Sequence, residues 1–291
     1  MVEENVGAAT RRVAQLLAQS GVDTPERDAR LLVAAAIGGV PADLIVRPER
    51  LFAAAEAAQL DDYVGRRARR EPVSRILGTR DFYGRTFSIT PATLDPRPCS
   101  ETLIGAVLDI ADEGGGRDRP LRLLDIGTGS GCLAVTLLCE LPNALALATD
   151  VSAEALAAAE DNAEANGVAG RISFAQRNTL QDVAGPFDIL ISNPPYIPAG
   201  EISALQAEVK DYDPRGALDG GTDGLDIYRE IAAGLATVVP RGWVVLEVGA
   251  GQARDVEEIL RAFSPQGATA HCRTWIDLGG HTRCVAMETQ L

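Results

Sequence analysis

No two cysteines in this 291-residue chain are spaced as Cys-x-x-Cys, and histidine occurs only at His271 and His281. Zinc-ribbon and thioredoxin-type chemistry therefore lack their ligands, and a histidine-rich metal site lacks its members, so no metal is expected. The histidines read as surface or strand residues. The five cysteines, Cys99, Cys132, Cys139, Cys272 and Cys284, are odd in number and read as free, mostly buried thiols of a reducing, cytoplasmic setting. Long hydrophobic runs are also missing. A stretch such as Leu31 to Ile37 falls far short of the ~20 apolar residues that span a bilayer. The first residues, Met1-Val2-Glu3-Glu4, lack the basic-then-apolar pattern of a signal peptide. No membrane partner is expected.

Basic charge is short as well. Lys and Arg number 27 against 41 Asp and Glu, a net charge of −14. The first 75 residues carry equal numbers of acids and bases, so the whole imbalance lies in the remainder. Nucleic acid is bound mainly by neutralising phosphates with Lys and Arg. A region this acidic would repel polyanions and could attract a basic protein surface.

What is present divides into two patterns. Residues 5 to about 70 read as a run of short helices. Val6 to Leu17 has apolar residues at helical spacing. Thr24-Pro25-Glu26 is a helix start, with a capping hydroxyl, a proline in the first turn and an acid near the positive dipole end. Leu31 to Ile37 continues that helix until Gly38-Gly39, Pro41 opens a short one, and Leu51 to Arg70 is long and Ala-rich. Arg66, Arg67, Arg69 and Arg70 read first as a solvated face at that helix's end, and second as a docking patch. From Glu71 to Pro98 short β segments and turns predict a hairpin, with Arg85 to Ile89 alternating like a strand. The expected division is a helical domain over 1–73, a hairpin linker over 74–98 and a larger domain over 99–291.

Beyond Pro98, strands and helices alternate. Strands are expected at Leu121 to Ile126, Ala144 to Thr149, Arg171 to Ala175, Phe187 to Ser192 and Trp243 to Val248, with a closing antiparallel pair at His271 to Asp277 and Arg283 to Met287. Helices are expected at Gly131 to Leu141, Ser152 to Asn166 and Ala253 to Phe263. That pattern predicts an α/β fold: a doubly wound, mostly parallel seven-stranded sheet.

Three motifs carry chemistry. In Leu123-Leu124-Asp125-Ile126-Gly127-Thr128-Gly129-Ser130-Gly131, a buried strand ends in an acid and a glycine-rich turn. Ligands in such sheets bind beyond the carboxyl ends of the strands. Cys132 breaks the dinucleotide pattern G-x-G-x-x-G, and no Gly-Lys-Ser/Thr follows for a phosphate loop. Asp150 ends the next strand, 25 positions after Asp125. An acid there can accept both ribose hydroxyls of a nucleoside, although a helix-capping acid before Ser152 is a plainer reading. The most specific signal is Asn193-Pro194-Pro195-Tyr196, which follows the strand Ile189-Leu190-Ile191-Ser192. Prolines lock φ and remove backbone donors. The Asn193 side-chain oxygen and the Pro194 carbonyl are left as acceptors, a pair suited to a planar –NH2 group with two donors. Tyr196 is expected to pack over that group.

Asp125-Ile-Gly-Thr-Gly-Ser-Gly131 together with Asn193-Pro-Pro-Tyr196 resembles class I, Rossmann-like methyltransferases acting on planar nitrogens. Further stretches sharpen the resemblance: Glu71-Pro72, Ile76-Leu77-Gly78, Phe82-Tyr83-Gly84, Pro96-Arg97-Pro98 with Glu101, and Tyr212-Asp213-Pro214 through Ala217-Leu218-Asp219-Gly220-Gly221 to Tyr228-Arg229. Over nearly its whole length the chain resembles the bacterial release-factor glutamine methyltransferases. The resemblance implies S-adenosylmethionine as cofactor and, as substrate, the Gly-Gly-Gln loop of class 1 peptide-chain release factors. It implies cofactor contacts from Asp125, Gly127, Thr128, Gly129, Ser130, Gly131, Asp150, Asn178, Thr179 and Asn193. Asn193, Pro194 and Tyr196 would be catalytic, and Asn193 to Tyr196 with Phe82 would enclose the glutamine. A cytoplasmic monomer is expected.

Two departures stand out. The family places Asp and an aromatic after the third strand, where this chain has Asn178-Thr179. Asn178 accepts without charge assistance and Thr179 offers little stacking surface, so weaker cofactor binding is expected. The Pro-Arg-Pro-acid segment reads Pro96-Arg97-Pro98-Cys99-Ser100-Glu101, one acid short. Two other readings compete. An adenine amino methyltransferase would need base flipping and a basic groove, which the acidic charge opposes. A cofactor-binding module without catalysis would have no use for an intact Asn193-Pro194-Pro195-Tyr196.

Overall fold

The computed structural model describes residues 4–264 and 270–290. The chain forms two compact units, Met1–Gly78 with Gln206–Tyr212, and Thr79–Leu205 with Asp213–Leu291. This division differs from the expected one in two places. The hairpin belongs to the larger unit, and a short segment from beyond position 200 belongs to the helical unit.

The helical unit holds α1 (Val6–Gln19), α2 (Pro25–Ala36), α3 (Asp43–Val46), α4 (Ala54–Ala68) and α5 (Val73–Leu77). Val6, Ala9, Val13 and Leu17 lie three or four apart on α1 and are buried. They share a core with Ala29, Leu32 and Val33 of α2, Leu60 and Val64 of α4, and Ile76 of α5, as expected when the apolar stripes of amphipathic helices face each other. Asn5 caps α1, its Oδ1 accepting from Ala8 N at 2.9 Å. Thr24 does not cap α2 through its side chain. Its hydroxyl donates to Asp28 Oδ1 at 3.1 Å instead, leaving Pro25 to set the helix start.

Only part of the arginine cluster at the end of α4 is a solvated face: Arg69 is exposed. Arg67 is buried and its Nε donates to Asp28 Oδ2 at 2.7 Å. Gln206–Tyr212, which carries a short helix α9 (Ala207–Lys210), brings in Glu208. Arg70 grips Glu208 with two hydrogen bonds, of 2.6 and 2.7 Å, and Arg67 reaches it at 3.1 Å. Arg66 pairs with Glu71 at 2.6 Å. Helix-dipole reasoning treated these cations as solvent-facing; Arg69 is exposed as expected, whereas Arg67 and Arg70 are neutralised inside the unit by acids from distant parts of the chain.

The larger unit opens with the hairpin of β1 (Thr79–Phe82) and β2 (Arg85–Ser88). Its elements then run α6 (Glu101–Glu113), β3 (Arg122–Ile126), α7 (Cys132–Glu140), β4 (Leu145–Asp150), α8 (Ala153–Ala165), β5 (Ile172–Gln176), β6 (Ile189–Ser192), α10 (Asp226–Val238), β7 (Arg241–Glu247), α11 (Ala253–Ala262), β8 (Cys272–Ile276) and β9 (Thr282–Gln290). The sheet order is β5-β4-β3-β6-β7-β9-β8. The first five strands are parallel, and β9 joins β7 and β8 antiparallel. This is the doubly wound, mostly parallel seven-stranded sheet expected from the alternation. The pleat splits each strand between two cores. Leu123, Ile189, Ile191 and Val245 face α6, α7 and α8; Leu124, Leu190, Val244 and Leu246 face α10 and α11. Ser152 caps α8 as expected, accepting from Ala155 N at 3.1 Å. No helix among the described residues is long and apolar enough to cross a membrane.

Candidate active site

The carboxyl ends of β3, β4, β5 and β6 open on one cavity of about 400 Å3, within the usual range for a small-molecule site. Gly127, Gly129, Asp150, Asn178, Thr179, Asn193, Pro194 and Pro195 line it. A smaller cavity of about 40 Å3 touches Gly127, Thr128, Gly129, Ser130, Asn193 and Ser100. The sheet thus gathers all three sequence motifs at one end, as strand order in an open α/β sheet requires.

The glycine turn is braced from below. Asp125 is fully buried; Thr128 Oγ1 donates to its Oδ2 at 2.7 Å, while Oδ1 has no partner. Burial pushes the Asp125 carboxyl up to about 7, against the pull of the Thr128 hydrogen bond. Gly131 caps α7 in the left-handed region (φ 78°). A Cβ there would sit 3.1 Å from the Ala159 Cβ, so glycine lets α7 and α8 approach. Asn162, also buried, donates to Ser130 O at 2.9 Å and accepts from Ser88 N at 2.7 Å, tying the hairpin to the turn. Asp125 and Gly131 line neither cavity; their part is to shape the turn.

Asp150 faces the cavity with both oxygens anchored. Oδ2 accepts from Gly129 N and Oδ1 from Ser152 N, each at 2.9 Å. A carboxylate oxygen has more than one lone pair, so ligand hydroxyls can still be accepted. Val151 follows, 60% exposed, and with Ile227 it adds apolar lining to the cavity. Asn178 is exposed at the rim, and Thr179, at φ 46°, donates to Glu230 Oε2 at 3.0 Å. Thr179 thus sits in a backbone region that β-branched residues avoid.

The proline corner is held by the Gly-rich stretch behind it. Ile197 N donates to Leu218 O and Gly220 N to Ile197 O, at 3.0 and 2.9 Å. A Cβ on Gly220 would lie 2.8 Å from the Pro195 carbonyl, so only glycine fits. Asn193 Nδ2 donates inward to Ser100 Oγ at 3.2 Å. Among the described residues nothing donates to Asn193 Oδ1 or the Pro194 carbonyl.

Two expected site residues are placed elsewhere. Phe82 is 1% exposed and meets Phe87 edge-to-face at 6.2 Å, in the core rather than on a cavity wall. Tyr196 lines neither cavity. Its carbonyl accepts from Gln252 Nε2 at 3.0 Å, and burial, then the Glu247 charge, raises its hydroxyl pKa. Conversely, Leu94, Pro214 and Ala217 line the main cavity and were not singled out as site residues, although Pro214 and Ala217 lie within the Tyr212–Gly221 signature. Among the described residues no cluster of His, Cys, Asp and Glu could hold a metal.

The chain is similar to known proteins. Residues 8–78 match the PrmC N-terminal domain family and residues 116–209 the Methyltransferase small domain family. A release factor glutamine methyltransferase of Rhodospirillum rubrum is 43% identical over 96% of this chain and 84% of its own length. Another, of Cereibacter sphaeroides, is 42% identical over 96% of each. The crystal structure of the hMettl16 catalytic domain superposes with a TM-score of 0.57 at 20% identity, covering 79% of this chain and 82% of that one, a likeness of fold alone.

Proposed function

The chain belongs to the release factor glutamine methyltransferase family, and we propose that it moves a methyl group from S-adenosylmethionine to the side-chain amide nitrogen of the Gly-Gly-Gln glutamine of a class 1 release factor. The observation that carries this reading is the pair of acceptors, Asn193 Oδ1 and the Pro194 carbonyl, to which nothing among the described residues donates, on the cavity that Asp150 and the glycine turn also line.

The residues fit the cofactor. Asp150 would accept the ribose hydroxyls, the apolar Val151 and Ile227 would flank the adenine, and Asn178 would accept from its amino group. Gly127 and Gly129 of the turn carry no side chain and leave room for the methionine portion beside the smaller cavity. Bound there, S-adenosylmethionine would supply an electrophilic methyl group on sulfonium sulfur.

An amide nitrogen is a weak nucleophile because its lone pair is delocalised. Asn193 Oδ1 and the Pro194 carbonyl would each accept one amide hydrogen, fixing the plane of the group and stabilising positive charge as it develops on nitrogen. Holding the reactants in line removes much of the remaining barrier. The nitrogen becomes acidic as it is alkylated, so no strong base is required beforehand. The proline-locked backbone keeps the corner from relaxing.

Incubation with a release factor and cofactor, followed by mass spectrometry, should find one added methyl on the glutamine. Asn193→Ala should lower kcat on the order of a thousandfold, the scale of a lost transition-state contact, with cofactor affinity nearly unchanged. Activity surviving in that variant would refute the amide clamp.

A further inference from the structure

Two stretches singled out in the sequence, Pro96-Arg97-Pro98 and Tyr212-Asp213-Pro214, take no part in the chemistry above. In the structure their charged residues meet. Asp213 is buried, its side chain 1% exposed. Its Oδ2 accepts from Arg97 Nη2 at 2.7 Å, and its Oδ1 accepts from the backbone N–H of Asp95 at 3.3 Å. Arg80 of β1 fastens the same segment, its Nε donating to Pro96 O at 3.1 Å. Residues 89–97 form neither helix nor strand, so no ladder or helix sets their course.

What this tie holds is part of the cavity wall. Every second residue of the segment faces a cavity: Ala92 and Leu94 line the larger one, Leu94 and Pro96 the smaller. A Cβ on Gly129 would lie 4.0 Å from Leu94 N, so the segment runs against the glycine turn. On the other side of the tie, Pro214, Gly216 and Ala217 line the larger cavity. Asp213 thus joins two loops, distant in sequence, that supply wall beyond the strand ends.

We propose that Asp213 is a positioning residue: its carboxylate holds residues 92–96 against the glycine turn and keeps the cofactor cleft closed on that side. This rests on the cofactor reading above, which places the methionine portion beside that turn. The acid itself is required. An ionised carboxylate only accepts, and both of its oxygens here meet donors. An amide has one accepting end and one donating end, so in Asp213→Asn one of the two contacts sets donor against donor. The amide also gives up the charge assistance that makes such bonds about twice as strong. Freed from its tie, the segment is in place for only part of the time, and apparent affinity falls by that fraction.

The test is calorimetric titration of the full chain with S-adenosylmethionine, with hydrogen exchange followed at residues 92–97 without and with the cofactor. Asp213→Asn should bind about tenfold more weakly, the result for a segment in place a tenth of the time. Its amides at 92–97 should exchange faster than those of wild type, and saturating cofactor should restore their protection. A role in the fold alone would instead speed exchange in β3 and β6 as well and leave the affinity of the folded chain unchanged. That outcome, or wild-type affinity with wild-type exchange, would overturn the proposal. Should Asp213→Asn not fold, Arg97→Gln decides, because the Arg97 side chain is 34% exposed and its loss leaves Asp213 with the Asp95 N–H. Binding should then weaken about threefold, as for a segment in place a third of the time, and an unchanged affinity would overturn the proposal. A wild-type chain that does not bind S-adenosylmethionine would defeat the underlying cofactor reading before any variant is compared.

Discussion

The helical unit and the strand ends of the sheet unit both bury carboxylates, and they treat them in opposite ways. In the helical unit Asp28 and Glu208 meet Arg67 and Arg70 through five close hydrogen bonds. Burial works against the charge of Glu208, but Arg70 and Arg67 outweigh it and hold its carboxyl below the ordinary range. In the sheet unit Asp125 and Glu247 each keep an oxygen without a partner, and burial lifts both towards neutrality. Satisfied charge deep in a fold is compatible with architecture alone. Buried acids without a full set of partners are the ones whose protonation is perturbed, and such perturbation marks candidates for a functional role.

The comparison breaks most readily at Arg67. Arg67→Ala removes the cation paired with Asp28, while Arg70 still holds Glu208. Breaking a buried pair from one side is costly because the other charge stays behind. A loss of about 3 kcal/mol in urea denaturation is expected. Replacing Arg67 and Asp28 together with apolar residues should return most of it, since a well-packed apolar pair often matches a buried ion pair. A single substitution costing under about 0.5 kcal/mol would place Arg67 among ordinary surface residues and erase the contrast.

Glu247 tests the other side. Its folded pKa, about 7, lies above the ordinary 4.5, so the folded state binds the proton more tightly than the unfolded one. The stability this contributes is fully present below about 4.5 and is lost as pH rises through about 7. Glu247→Gln keeps the neutral shape at every pH. The variant should be more stable than wild type by on the order of 2 kcal/mol near pH 8, with the gap closing towards about pH 5. The Asp125 contribution is common to both proteins and cancels in the difference. A gap independent of pH would mean that Glu247 does not titrate where its burial places it.

How far the sequence could be read follows the same line between local and distant causes. Every strand of the large sheet was legible, because alternation, glycine turns and strand length are local signals. The Ser152 cap and the gathering of Asp150, the glycine turn and Asn193 on one cavity followed from strand order. Helix α6 escaped notice. Its buried residues, Leu103, Ile104, Val107, Leu108, Ile110 and Ala111, recur at helical spacing, as do those of α10, which was not among the expected helices either; in both, the period was present in the sequence. The folding of Gln206–Tyr212 into the helical unit has no local signature, since Glu208 declares itself only once Arg67 and Arg70 surround it. Phe82 was expected at the substrate from the resemblance alone, and Tyr196 from its place after Asn193-Pro194-Pro195. Their rings point where tertiary packing sends them, which a spacing pattern does not encode. Glu247 is a single acid closing an otherwise apolar run, and its isolation becomes visible only with the sheet assembled.

The smallest expected effect sharpens the contrast at the cavity rim, where charge is neither buried nor paired. Asn178 is exposed and lines the cavity; in the proposed function its side-chain oxygen accepts from the adenine amino group. Asn178→Asp exchanges a neutral acceptor for a charged one of nearly the same shape. Charge-assisted hydrogen bonds are about twice as strong as neutral ones, so cofactor affinity should tighten by about fivefold, roughly 1 kcal/mol. Stability should move by less than about 0.5 kcal/mol, because the new charge stays in water. Calorimetric titration with cofactor at low and high salt separates the two possible origins of a gain. Tightening through a direct hydrogen bond survives added salt better than long-range attraction does. An unchanged or weakened affinity would remove Asn178 from the adenine contact. The rim would then be a place where the loss of a charge cost the protein nothing, unlike the interior beneath Glu247, where a charge without a partner is held at the expense of stability.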